Sequence, residues 1–199
     1  MSSLSVALVV ALVLLAFGVW LFNRLVTLRN RHVNAFSQID VQLQRRHELV
    51  PNLVETARAY LEHERETLTA VTAARDTAET RRREAAADPA DGARIAALAS
   101  AEGALGTALA RMNMVVEAYP ELVADERLGE LHAELASTEN RVGFARQAYS
   151  DAVMRYNVAR EQFPALVVAA LCGFREADPF EIADPALRAP LTISFAKAA

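Results

Sequence analysis

Residues 4–22 read LSVALVVALVLLAFGVWLF, an unbroken apolar run of 19 with no charge and a single hydroxyl, Ser5. At about 1.5 Å per residue a helix of this length spans roughly 28 Å, close to the ~30 Å hydrocarbon core of a bilayer. Thirteen of the 19 are Leu, Val or Phe. Their summed insertion free energy is about −5 kcal/mol, and one central Asp or Arg would return about 3 kcal/mol of it. A cleaved signal peptide is the rival reading. It calls for a positive start, a shorter apolar stretch and a small-x-small cleavage site. Met1, Ser2 and Ser3 add no charge beyond the amino group, Ala16-Phe17-Gly18 is a weak cleavage site, and the run leaves through Trp20-Leu21-Phe22. That aromatic exit suits the lipid–water interface. The run reads as a retained anchor.

The flanks orient it. Arg24, Arg29 and Arg31 follow at once, and no acid appears before Asp40. The side richer in Arg and Lys stays in the cytoplasm. The expectation is a single-pass protein of the bacterial inner membrane, N-terminus outside and the rest cytoplasmic.

Residues 23–48 hold five Arg against Asp40 and Glu48, a balance of +3, while residues 49–199 hold 16 basic against 23 acidic groups, a balance of −7. Basic charge beside the membrane suits anionic lipid. No basic face is large enough for nucleic acid as a partner. Few Gly and Pro (7 each) and abundant Ala favour helices over strands. A single cysteine, Cys172, excludes an intramolecular disulfide framework. In its apolar run, a buried inert thiol is the default reading.

Four helical stretches follow the anchor. The first runs from about Asn23 to Arg46, continuous with the membrane helix. Pro51 disrupts a helix but suits a helix start, so a second helix is placed from about Pro51 to Ala86; a single kinked helix is the alternative. In it Val54, Ala57, Leu61, Glu64, Leu68, Val71, Arg75 and Ala78 step alternately by 3 and 4, a heptad seam with two charged members. Asp88-Pro89-Ala90-Asp91-Gly92 is a loop. The third helix spans about Ala93 to Glu117, with Leu98, Leu105, Leu109, Met112 and Val116 on one face, and ends at Tyr119-Pro120-Glu121. The fourth spans Leu128 to Phe163. Its large set is Leu128, Leu135, Val142, Tyr149, Tyr156 and Phe163. Its other set shrinks to Ala145, Ala152 and Ala159, which lets a neighbouring helix approach closely. Short connections between long amphipathic helices imply antiparallel neighbours. The fold expected is all-α: an anchor (1–22), an up-down-up-down four-helix bundle (23–163), and a tail (164–199) that is apolar and then carries Asp178-Pro179, Asp184-Pro185 and Ala189-Pro190.

Three blocks carry a family resemblance. They are Ile39-Asp40-Val41-Gln42-Leu43 through Arg45-Arg46 to Leu49-Val50-Pro51-Asn52-Leu53-Val54, then Val116-Glu117-Ala118-Tyr119-Pro120-Glu121-Leu122, then Thr138-Glu139-Asn140-Arg141-Val142 through Phe144-Ala145-Arg146 to Tyr149. With the smaller matches His63-Glu64, Tyr156-Asn157, Phe163-Pro164 and Gly173-Phe174, the chain resembles the LemA family of bacterial membrane proteins over nearly everything after the anchor. The resemblance implies an N-terminal single-pass anchor and a helical bundle. It brings no agreed biochemical activity.

Candidate chemistry is sparse. His32, His47, His63 and His132 lack zinc-ligand spacing, and neither His47-Glu48 nor His63-Glu64 completes His-Glu-x-x-His. No Gly-rich phosphate loop and no nucleophile elbow occur. No metal, cofactor or catalytic residue is expected. Glu64 and Arg75 at seam positions, with Asp40, Arg45, Arg46, Asn52 and Asn140, are candidates for an internal polar network: an ion-pair lattice that sets helix register, or the lining of a ligand pocket. Arg24, Arg29, Arg31, Arg81, Arg82 and Arg83, with the segment from Phe163 to Phe174, are candidates for membrane contact, provided the chain folds back at Pro51; packing of that segment on the bundle is the competing reading. A second helix of about 54 Å against about 36 Å for the soluble part of the first would carry the three-Arg run to the headgroups.

The functional expectation is a non-enzymatic, membrane-anchored scaffold or partner-binding module, in contact with the bilayer and an unidentified membrane protein. Ser3, Ala7 and Ala11 give the anchor a weak small-xxx-small face for self-association. The alternatives are an accessory subunit of a membrane protease or envelope-stress system, and a bundle that binds a ligand.

Overall fold

Pro51 lies inside a helix rather than at the head of one. The computed structural model describes residues 3–61 and 63–181. Its first helix, α1 (Ser3–Arg58), runs from the apolar segment through Pro51 without interruption. A helix-interior proline costs about 3 kcal/mol, through ring clash and the lost bond to the carbonyl four residues back. That carbonyl belongs to His47, and Arg75 Nε on the second helix donates to it at 3.1 Å. Leu49, Val50, Leu53 and Val54 flank the proline and are all buried. At about 1.5–3 kcal/mol each their burial outweighs the proline penalty.

The expected turn at Pro51 is therefore displaced, and the expected lengths are exchanged. The soluble part of α1, residues 23–58, is about 54 Å long, and α2 (Arg65–Ala87) is about 34 Å. Between them Tyr60 N and Leu61 N both bond Ala57 O at 3.0 Å. The Tyr60 hydroxyl donates to Asp125 Oδ2 at 3.1 Å, which pins this turn to the start of a later helix.

The remaining elements are α3 (Gly92–Val116), the short α4 (Pro120–Val123), α5 (Glu126–Glu161) and α6 (Ala165–Cys172); no strand occurs among the described residues. Asp91 caps α3 by accepting from Ala93 N at 2.9 Å, and Asp125 caps α5 by accepting from Leu128 N at 2.9 Å. Arg75 against His47 and Arg82 against Asp40 make α2 antiparallel to α1. Arg46 against Glu139, Phe36 against Tyr149 and His32 against Tyr156 make α5 antiparallel to α1 as well. The α1/α5 pair forms the longest contact in the molecule, and Ala145 and Ala159 lie in its core, where a small seam permits close approach.

Two apolar clusters result. One, near the anchor, gathers Leu21, Leu25, Phe36, Ile39 and Leu43 with Ile95, Leu98, Tyr149 and Tyr156. The distal one gathers Val50, Leu53 and Ala57 with Leu68, Val71, Leu105, Leu109 and Met112.

The tail joins the first cluster. Gly173, at φ 71°, closes α6 in the left-handed conformation, with Phe174 N bonded to Ala169 O at 3.0 Å. Phe174, Ala177 and Phe180 are then buried along α5. This extended chain has no ladder of its own, so side chains supply its partners: Tyr156 Oη donates to Arg175 O at 2.7 Å, Asn157 Nδ2 to Ala177 O at 2.8 Å, and Tyr149 Oη to Asp178 O at 3.0 Å. Phe163, the last member of the α5 seam, lies beyond the helix end and is 84% exposed. Cys172 is exposed rather than buried, because Ala165 and Ala169 form the covered face of α6. The Asp184-Pro185 and Ala189-Pro190 readings lie outside the described residues.

If Arg75 substitutes for the missing Pro51 amide, the two positions are coupled. Arg75→Leu should lower stability by about 1.5–3 kcal/mol, the range for a hydrogen bond to a charged donor. Its cost should shrink clearly in a Pro51→Ala background, where the helix supplies its own donor. A double-mutant cycle by denaturant unfolding in detergent micelles measures this; equal costs in both backgrounds would refute the substitution.

Candidate functional site

Between the two apolar clusters lies a polar layer. Arg46 is buried and donates from Nη1 to Glu102 Oε2 at 2.8 Å, and its Nη2 lies 3.2 Å from Glu139 Oε2. His47, next in the chain and also buried, sets one ring nitrogen 2.7 Å from Glu102 Oε1 and the other 2.9 Å from Glu79 Oε2. Arg82 donates to both Glu79 oxygens, at 2.8 and 3.0 Å, and to Asp40 Oδ1 at 2.5 Å. The layer thus links α1, α2, α3 and α5.

Arg82, whose hydrogen bonds to Glu79 are the largest influence, holds that carboxyl well below the usual carboxylate range; His47 and Arg83 act in the same direction, and burial opposes them. Hydrogen bonding to Glu79, with Asp40 adding to it, raises Arg82 in turn. Burial lowers His32 and His132 from the ordinary imidazole value.

The candidates from sequence divide here. Asp40 and Arg46 belong to the layer, and Arg75 touches it through the His47 carbonyl. Arg45 pairs with Glu134 and Glu48 at the surface. Asn52 and Asn140 are exposed, and Glu64 lies in the turn before α2, half-buried; none of the three joins the layer. Sequence reasoning missed His47, Glu79, Arg82, Glu102 and Glu139. Two had a signal. The 3–4 seam of the second helix continues past Ala78 to Arg82 and Ala85, both buried, and Glu102 occupies the seam step between Leu98 and Leu105.

No three His, Cys, Asp or Glu side chains converge as metal ligands among the described residues. Glu79 and Glu102 meet opposite nitrogens of one ring and share no ligand point. The cavity beside Arg46 and His132 measures about 30 Å³. That is room for about one water, which Arg46 Nε and His132 Nε2, both without a protein partner, would hydrogen-bond. A polar cavity lined by Asp40, Glu64 and Arg75, which would have favoured the ligand-pocket alternative, does not form, since Glu64 stands apart from the other two.

The membrane-facing candidates also divide. α2 ends early, so Arg82 stops beside Asp40, 18 residues and about 27 Å past Phe22. Arg82 is buried, Arg83 pairs with Glu79 and Arg81 with Glu84. The fold-back at Pro51 that would have carried this run to the headgroups is absent. Arg24, Arg29 and Arg31 are exposed at the anchor's end, with Arg24 5.7 Å over Trp20 and Arg29 5.8 Å over Phe174. Phe174 meets Phe22 edge-on at 5.5 Å. Ala165 and Ala169 pack inward, while Phe163, Leu166, Val167 and Leu171 stay exposed beside the end of the apolar run.

Glu79 makes the layer sensitive to acid. Its depressed folded-state value means its stabilisation is complete above the ordinary carboxylate value of about 4.3 and is lost as pH falls below it. Glu79→Gln should cost on the order of 3 kcal/mol at neutral pH, as for a broken buried ion pair. It should also flatten the fall in stability between about pH 5 and pH 3. Unfolding free energies measured across that range would test both; an unchanged acid slope would contradict the assignment.

The family model described as the LemA family matches residues 35–195. Magnetosome protein MamQ 2 of Paramagnetospirillum magneticum is 32% identical over 85 residues, which are 43% of this chain and 31% of that protein. Magnetosome protein MamQ of Magnetospirillum gryphiswaldense is 30% identical over 90 residues, 45% of this chain and 33% of that protein. The chain therefore matches about a third of the length of these relatives.

Proposed function

This chain belongs to the LemA family, and we propose that it is a membrane-anchored scaffold that holds a partner protein at the cytoplasmic face of the bilayer, without catalysis. One observation carries the reading: α1 is at once the apolar anchor and the central helix of the bundle, unbroken from Ser3 to Arg58. A tether needs no such stiffness. A shared helix fixes the height and tilt of everything packed on it, which is what a platform for assembly requires.

Arg24, Arg29 and Arg31 support a cytoplasmic bundle through the positive-inside rule. The outer face of α6, with Phe163, Leu166, Val167 and Leu171, rests in the interface as an apolar foot beside the anchor. The residues serve as anchor (1–22), bundle (23–163) and tail (164–199), with α6 as the element that seats the bundle on the membrane. The partner is a membrane protein or a second copy of this chain; nucleic acid is not among the partners.

Phe144 is 78% exposed on α5, and Met114 is 66% exposed on α3, so neither is occupied within the chain. A photo-crosslinking residue at either position, in native membranes, should give discrete products that mass spectrometry identifies. Only solvent-quenched product at both positions would contradict the scaffold. A second test uses Cys172, the sole cysteine. An environment-sensitive fluorophore there should shift to the blue and be quenched by shallow lipid quenchers in liposomes. A solvent-exposed spectrum would place α6 off the membrane.

A further inference from the structure

Beside the anchor, α1 and α5 enclose a groove of about 590 Å³ that includes Arg24, Leu28, Arg31, Met154, Arg155 and Val158. Three arginines line one space. None of the three arginines has an ion-pair partner among the described residues; Arg24 stacks only on Trp20. No carboxylate lines the groove. Asp151 borders the adjoining hollow shared with Arg31 and Arg155 and accepts from Gln147 Nε2 at 3.2 Å. The contrast with the polar layer is plain: Arg46 and Arg82 are each matched to carboxylates, and these three are left open.

Height decides what could fill the site. Arg24 and Arg31 lie two and nine residues past Phe22, about 3 and 14 Å above the end of the apolar run. That interval covers the headgroup layer and its outer edge. The positive-inside rule accounts for Arg24 and Arg31, which flank the anchor in sequence. It does not account for Arg155, which arrives from α5 more than a hundred residues later and is brought to the same spot by the antiparallel α1/α5 packing.

We infer that this groove is a binding site for the phosphate headgroup of an anionic phospholipid from the bilayer that the anchor spans. Arg24, Arg31 and Arg155 donate to the phosphate, and Leu28, Met154 and Val158 contact the glycerol and the upper acyl region. The inference rests on the membrane-anchored reading and not on the scaffold reading, so the two can fail separately. The planar fork of arginine suits phosphate oxygens better than the point charge of lysine would.

The full chain, reconstituted in nanodiscs of phosphatidylcholine and phosphatidylglycerol in equal parts and then extracted, should retain phosphatidylglycerol in excess by mass spectrometry. Arg31→Gln and Arg155→Gln should each lower that enrichment about fivefold, as expected for one basic contact at an anionic surface. Arg155→Lys should keep most of it. Arg111→Gln, on exposed α3 surface far from the anchor, should change nothing. Unchanged helicity by circular dichroism separates loss of the site from loss of the fold. Equal retention of the two lipids by the wild type, or equal effects of Arg111→Gln and Arg155→Gln, would overturn the site. Displacement of the lipid by inorganic phosphate at equal concentration would overturn its assignment to a lipid rather than to free phosphate.

Discussion

The carbonyl of His47 needs a donor, and the amide that would normally supply it is missing because residue 51 is proline. Arg75 fills that place from the neighbouring helix. The rest of the architecture follows from this one substitution. With the acceptor satisfied, α1 continues two more turns and the chain reverses at residues 59–64. That placement shortens α2, stops the three-Arg run beside Asp40 instead of at lipid, and leaves the anchor end of the bundle to α5, α6 and the tail. It also ties the helix-breaking residue to tertiary packing: α1 is continuous because α2 is docked on it.

The polar layer draws on α1 from about one to three turns before the proline, with Arg46 and His47 nearest and Asp40 farthest. Its ions are largely withdrawn from water, a cost that their mutual attraction only partly offsets. Its consequence is register. Sliding α5 by one turn along α1 would separate Glu139 from Arg46, and sliding α2 would separate Arg82 from Asp40 and Glu79 from His47, each removing a partner from a half-buried or buried polar group. The distal apolar cluster, made mostly of Leu, Val and Ala, enforces alignment less strictly than this directional layer does.

Much of this was legible in sequence, and the exceptions have physical causes. The anchor, the loop at Asp88–Asp91, the limits of α3 and α5 and the small seam of α5 all rest on local composition or on periodicity. At Pro51 local rules leave both a turn and a continued helix open; a residue 24 positions away decides for the helix, and no local signal announces Arg75 as the donor. Glu64 was misread for a related reason: the 3–4 seam runs on through a turn, since Leu61 and Leu68 are both buried although no helix joins them. Arg82 and Glu102 were recoverable by extending the seams one step. Glu79 and Glu139 were not, because each is chosen by a cation on another helix. Arg155 at the membrane end required the register of α5 on α1, which only the structure supplies.

One helix, α1, runs from the apolar anchor to the far end of the bundle. Spin labels at Val19 and Glu55, both exposed on α1, in a Cys172→Ser background reconstituted in nanodiscs, would measure it by pulsed electron resonance. Thirty-six residues of unbroken helix predict a single narrow distance near 54 Å. A distribution centred well short of that, as a fold-back at Pro51 would give, or one broadened by a hinge after Phe22, would contradict it.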